Sequence, residues 1–108
     1  MLFVMPPWGE AASEADVRRV YVTNGASVNE EDLFLAVATE KVDFELGAPI
    51  SGIVGEIYVR DGDKIRVGDK IATIYSGNSY DQTAYTIYTA LRKLRTLDPN
   101  LLDRKSVV

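Results

Sequence analysis

The chain contains neither cysteine nor histidine in its 108 residues. Their absence removes disulfides, thiolate nucleophiles, histidine-based triads and nearly every zinc or copper site. Long apolar runs are missing as well, since none approaches the roughly 18 residues of a membrane span. The opening Met1-Leu2-Phe3-Val4-Met5 has no basic flank and halts at Pro6-Pro7, unlike a secretory leader. Nor is there an excess of positive charge. Twelve basic residues against sixteen acidic ones leave a net charge of −4, which argues against nucleic acid or an anionic membrane as the main partner. Together these features read as a cytoplasmic chain. What remains is the balance of one folded domain, 46% hydrophobic and 26% charged.

Charge and glycine divide the chain near Gly77. Residues 1–77 hold 7 basic and 13 acidic side chains, whereas residues 78–108 hold 5 basic and 3 acidic ones. Every glycine lies at or before Gly77, and Tyr80, Tyr85 and Tyr88 cluster behind it. We therefore expect an acidic body, 1–77, and a basic helical tail, 78–108.

Within the body an internal match recurs at an offset of 37 residues. Val17, Val20, Val22 and Asn24-Gly25 fall over Val54, Ile57, Val59 and Asp61-Gly62. The register continues without a gap, with Val28 on Ile65, Asp32 on Asp69, Phe34 on Ile71 and Val37 on Ile74. Both copies break strict alternation in the same way, placing apolar residues at i, i+3 and i+5. Each reads as a strand, a tight turn, a short apolar contact and a second strand, and Gly25 and Gly62 supply the positive φ that the turns need. Two such units with no helix between them predict an all-β fold with approximate two-fold symmetry. The expected strands are 2–5, 17–22, 34–39, 42–47, 53–60 and 70–75, with Pro49, Gly52 and Gly55 marking bends or bulges.

Two alternating runs, 34–39 and 42–46, meet at Glu40-Lys41, so Lys41 is expected at the tip of a two-residue turn, projecting from the body. Neither residue is a favoured turn former, so local structure supplies no reason for a lysine here. By composition alone an exposed turn lysine is a solubilising charge. No acid–base pair, catalytic residue or metal-ligand cluster stands out elsewhere.

The stretch Thr39-Glu40-Lys41-Val42 resembles the attachment hairpin of lipoyl domains in the biotinyl/lipoyl-attachment family, of the 2-oxo acid dehydrogenase acyltransferase type. Met5-Pro6, Val20–Val28, Ala48–Val54 and Val59–Asp69 resemble the family's other segments in order and spacing, covering residues 3–76. The resemblance implies a flattened barrel of two small antiparallel sheets related by a pseudo-two-fold axis, with Lys41 as the covalent attachment site. Asn78 is then the symmetry mate of Lys41, so the termini are expected at the pole away from the hairpin. It further implies a swinging-arm carrier that is not catalytic alone. Its cofactor would be lipoate. Its partners would be a lipoate ligase or lipoyl transferase and the 2-oxo acid decarboxylase, acyltransferase and dihydrolipoyl dehydrogenase components of a complex. Biotin is the alternative cofactor, although biotin carriers place methionine on both sides of the lysine and this chain has Glu40 and Val42. A third reading is an unmodified hammerhead-type adaptor. With acidic Glu40 and Asp43 as neighbours the amine is not a self-activated nucleophile, so a modifying enzyme must take its proton.

Thr39, Glu40, Val42 and Trp8 are the residues that the resemblance points to for recognition by the ligase or a partner enzyme. Trp8 lies in a loop six residues longer than its counterpart after Pro49, and such a tryptophan equally suits a ring capping the barrel end. Two departures from the family stand out. Ala38 occupies a position commonly held by Glu, and Ala26 one commonly held by Asp. In the tail, residues 79–97 read as a helix capped by Ser79 and stopped by Asp98-Pro99. Its stripe Tyr80, Ala84, Ile87, Leu91, Leu94 would pack on the barrel or support docking or self-association.

Overall fold

The computed structural model describes residues 1–8 and 14–97. They form two compact units, Met1–Ser76 and a second beginning at Gly77. The first contains β1 (Leu2–Val4), β2 (Glu14–Val20), β3 (Ser27–Val28), β4 (Leu33–Ala38), β5 (Asp43–Gly47), β6 (Gly52–Ile57), β7 (Lys64–Arg66) and β8 (Lys70–Tyr75). The second contains α1 (Ser79–Leu97).

The strands build two antiparallel four-stranded sheets, ordered β1-β8-β6-β3 and β5-β4-β2-β7. The offset of 37 carries β2 onto β6, β3 onto β7 and β4 onto β8, and β1 corresponds to β5 once the longer first loop is allowed for. One sheet order therefore maps onto the other. The same exchange relates individual hydrogen bonds. Gly25 N donates to Val54 O and Gly62 N to Val17 O, both at 2.7 Å. Likewise Tyr21 N donates to Phe34 O and Tyr58 N to Ile71 O. The sheets are thus stitched together by turn residues of one half bonding to strand residues of the other.

The shared break in alternation has a structural cause. The β2–β4 register shifts between Val17 and Arg19, and the β6–β8 register shifts between Val54 and Ile57. One extra residue in the strand turns the side chains after it onto the other face, which is why apolar positions jump from i to i+3. Gly55 lies within the second of these bulges. Two expectations need correction. The long strands stop at Val20 and Ile57, two or three residues earlier than expected, and Tyr21 and Tyr58 keep one backbone hydrogen bond each to the neighbouring strand beyond those ends. The short apolar contacts are strands in their own right, β3 and β7, pairing with β6 and β2.

Both glycine turns close as expected, Ala26 N donating to Thr23 O and Asp63 N to Arg60 O. Only the glycine of each pair has positive φ, 86° at Gly25 and 91° at Gly62, the signature of a type II turn. In the second copy the Asp63 carboxylate accepts from Arg60 N at 2.9 Å. Ala26 stands at the equivalent position of the first copy and has no oxygen to do so.

The core follows the same symmetry. Val17 and Val54, Val28 and Ile65, Phe34 and Ile71, and Val37 and Ile74 are buried as equivalent pairs. Unequal pairs such as Leu35 with Ala72 and Met5 with Ala48 trade volume across the centre. Phe3 meets Phe34 edge-on at 5.2 Å. No polar or charged residue among those described is buried.

Helix α1 runs over the expected residues, but its cap is Asn78 rather than Ser79. Asn78 Oδ1 accepts from Asp81 N at 2.8 Å, and Ser79 is already the first helical residue. No described helix is long and apolar enough to cross a membrane.

Candidate functional site

Strands β4 and β5 are paired to their ends, with Ala38 opposite Asp43, and Thr39-Glu40-Lys41-Val42 closes the hairpin. Thr39 N donates to Val42 O at 2.8 Å, so the pair at the base of the turn is formed. The reciprocal bond is made by a side chain. Thr39 Oγ1 accepts from Val42 N at 3.1 Å and from Lys41 N at 3.3 Å, while it also lies 3.2 Å from Val42 O as a donor. Glu40 and Lys41 both have negative φ, so the tip is not the doubly positive turn that Asn-Gly would form. The threonine hydroxyl supplies the closure that these two residues do not. Sequence reasoning assigned Thr39 to recognition and missed this role; the signal was a threonine directly before two poor turn formers.

Glu40 and Lys41 are exposed and Val42 is 47% exposed. The three lysines of the body differ in what they touch. Lys64 Nζ lies 2.8 Å from Asp16 Oδ1. Lys70 Nζ sits 5.6 Å from the Tyr58 ring centroid, in cation–π geometry. The Lys41 amine has no ion pair, hydrogen bond or ring contact among the described residues.

Strand β2 lies beside β4 and carries the hairpin's charged surroundings. Asp16 is opposite Ala38 on one side and Lys64 on the other, and next along the strand Glu14 pairs with Arg66 at 3.3 Å. The hydrogen bond and charge of Lys64 hold the Asp16 carboxyl below its usual 3.8, and Asp16 in turn raises the Lys64 ammonium above 10.5. Both groups are exposed, so their pairing orients the edge more than it stabilises the fold. Ala38 is buried and offers no charge to the hairpin.

Trp8 packs against the core and meets Phe44 of β5 with ring centroids 6.0 Å apart. It therefore borders the strand that leads out of the hairpin. Phe44 was not singled out from the sequence, although alternation along β5 turns it inward beside the longer loop. The Trp8 Nε1–H is buried and finds no acceptor among the described residues. Residues 9–13 of that loop lie outside the described residues. No metal-binding group of acidic residues exists among the described residues. Chemically, the arrangement presents one primary amine on a two-stranded support, fixed behind by a closed turn and open in front.

Comparison with known proteins places the body in a family. The family described as biotin-requiring enzyme, the biotin and lipoyl group, matches residues 2–74. The dihydrolipoyllysine-residue succinyltransferase component of the 2-oxoglutarate dehydrogenase complex from Rickettsia conorii is 37% identical over 76 residues, covering 70% of this chain and 19% of that protein. The dihydrolipoyllysine-residue acetyltransferase component of the pyruvate dehydrogenase complex from Corynebacterium glutamicum is 34% identical over 70 residues, covering 65% of this chain and 10% of that one. The chain thus spans less than a fifth of the length of these relatives. Among solved structures, the lipoyl domain of the Azotobacter vinelandii 2-oxoglutarate dehydrogenase complex aligns with a TM-score of 0.60 and 23% identity, covering 72% of this chain and 99% of that domain.

Proposed function

The chain belongs to the biotin- and lipoyl-attachment family, and we propose that it is a swinging-arm carrier whose Lys41 is lipoylated. The observation that carries this reading is the contrast among the body's lysines. Lys64 and Lys70 are held by Asp16 and Tyr58, whereas Lys41 stands at the hairpin tip with its amine unengaged. That amine fits the group, because an acylating enzyme can reach it without breaking a contact. In the attachment step the neutral Lys41 nitrogen attacks an activated lipoyl carboxyl. An amide C–N bond forms, the activating group leaves and the nitrogen gives up a proton to the modifying enzyme. The lysine methylenes and the acyl chain together make an arm of roughly 10–15 Å at ordinary bond lengths. When bound, the dithiolane supplies the acyl- and electron-carrying chemistry. The chain's own residues hold and present it. Thr39 closes the turn, β4 and β5 support it, and the barrel fixes the base.

Glu40 and Val42 in place of methionines favour lipoate over biotin. Relatives drawn from 2-oxo acid dehydrogenase complexes support 2-oxo acid decarboxylase, acyltransferase and dihydrolipoyl dehydrogenase partners, and a lipoate ligase or lipoyl transferase as the modifying enzyme. Thr39, Glu40, Val42 and Trp8 are the surface such enzymes would read. Self-association through residues 79–97 is a separate part of this reading. The unmodified adaptor is favoured by Ala38, which leaves the hairpin without the acid common in the family. Intact mass of the protein produced with an active lipoate ligase decides among these. A lipoyl increment that disappears in Lys41→Ala, with the melting curve unmoved, is the expected result. A biotinyl increment, a bare mass, or a lipoyl increment retained in Lys41→Ala overturns it.

A further inference from the structure

The turn of the first half is built on the one Asn-Gly dipeptide in the chain, Asn24-Gly25. Asparagine is among the thermolabile residues, and a following glycine, lacking Cβ, offers the least hindered backbone nitrogen for attack on the side-chain amide. In the fold both reacting groups are held elsewhere. Gly25 N donates to Val54 O at 2.7 Å and Asn24 Nδ2 donates to Gly55 O at 2.7 Å. Val54 N in return donates to Ala26 O at 2.8 Å. All three bonds run from the turn of one half to β6 of the other, so exposing the pair requires the halves to part there. The equivalent Asp61-Gly62 is held by the opposite half in the same way, Gly62 N on Val17 O and Asp61 Oδ1 accepting from Val20 N at 2.9 Å. One difference sets the consequence. The Asp61 side chain faces a donor, whereas the Asn24 side chain faces an acceptor. A carboxylate suits the first position and not the second.

We propose that Asn24 is a spontaneous deamidation site that the closed body shields and that, once converted, disfavours reclosing. When the halves part, base removes the Gly25 amide proton and the nitrogen attacks Asn24 Cγ. A C–N bond forms, the Cγ–Nδ2 bond breaks, and ammonia leaves with a proton from water. Water then opens the cyclic imide at either carbonyl, leaving aspartate or isoaspartate; no oxidant or reductant takes part. Aspartate sets a carboxylate against Gly55 O where the fold needs a donor. Isoaspartate adds a methylene to the main chain inside the turn that Ala26 N closes on Thr23 O. Either product weakens the seam between the halves, so the conversion records an opening and refolding does not reverse it. This inference stands apart from the carrier reading, since it needs no modification of Lys41.

Site-resolved mass spectrometry of the full chain, held at mildly alkaline pH with and without urea, tests it. Conversion at Asn24 is read as the mass gained when an amide becomes an acid. It should run more than roughly thirty-fold slower in the folded chain than in urea, because attack waits on an opening larger than the turn itself. Phe34→Ala, which lowers the folded fraction without touching the turn, should speed it. Asn24→Asp made directly should lower the folding constant roughly ten-fold, the cost of an unmet carbonyl beside a repelled carboxylate. Asp61→Asn, whose Oδ1 still accepts from Val20 N, should leave that constant within about two-fold. A smaller gap between the folded and urea rates, or no acceleration in Phe34→Ala, overturns the shield. Asn24→Asp unfolding at the same urea concentration as the parent chain overturns the consequence for reclosing.

Discussion

Removing the Thr39 hydroxyl tests whether the lysine is presented by a closed turn or merely tethered by two strands. Thr39→Val keeps the shape and deletes one oxygen. Three contacts are lost, at 3.1, 3.2 and 3.3 Å. All lie at the long end of the hydrogen-bond range and at an exposed tip, so about 0.5 kcal/mol apiece is the appropriate scale. The sum, roughly 1–1.5 kcal/mol, lowers the ratio of closed to frayed tip about five- to ten-fold. The opening is local, so the global melting midpoint should move little. Hydrogen exchange reads it directly. The Thr39 amide keeps its own partner, Val42 O at 2.8 Å, and therefore reports fraying and not loss of a bond. Its protection should fall five- to ten-fold in Thr39→Val and recover in Thr39→Ser, which restores the oxygen. Acylation of Lys41 should slow by no more than the same factor, since only the frayed fraction is lost to the ligase. Protection at Thr39 unchanged within two-fold in Thr39→Val would refute the turn-closing role.

Glu31 has φ 77° where its equivalent, Gly68, has φ 88°. Relief of about 1–2 kcal/mol of left-handed strain, less the extra backbone entropy of glycine, makes Glu31→Gly stabilising by about 0.5–1 kcal/mol in urea unfolding, and Gly68→Ala destabilising by a similar amount. Phe34→Ala removes a fully buried ring and its edge-on contact with Phe3. A loss of about 3–5 kcal/mol is close to the whole stability of so small a domain, so the variant should show an unfolded fraction in its amide NMR spectrum at 25 °C. Because Asp16 is lowered from 3.8, its share of stability is present above that value and fades as pH falls through the lowered one. The Lys64 share is present below 10.5 and fades as pH rises through its raised value. Asp16→Asn should therefore narrow the stability difference between pH 7 and pH 3 slightly, and about 1 M salt, with its screening length near 3 Å, should erase that effect.

Several features were fully present in the sequence because they rest on local or periodic chemistry. The offset of 37 survived in apolar positions and turn residues, since both halves bury the same faces around one core. Gly25 and Gly62 announced their turns because few residues tolerate their φ. Lys41 was legible as a hairpin tip from two alternating runs, and residues 79–97 as a helix from their stripe and the proline that ends it. What those signals left open depends on partners distant in sequence. The i, i+3, i+5 break became a bulge only when β2 lay against β4 and β6 against β8. The two-residue strands β3 and β7 carry too little pattern to be strands until β6 and β2 offer them hydrogen bonds. The helix cap moved from Ser79 to Asn78 because a side chain's reach to Asp81 N is a matter of rotamer, which composition does not specify. Above all, three lysines that look alike in the sequence were separated by tertiary contacts. Folding brought Asp16 to Lys64 and Tyr58 to Lys70, and left Lys41 alone at the end of its turn.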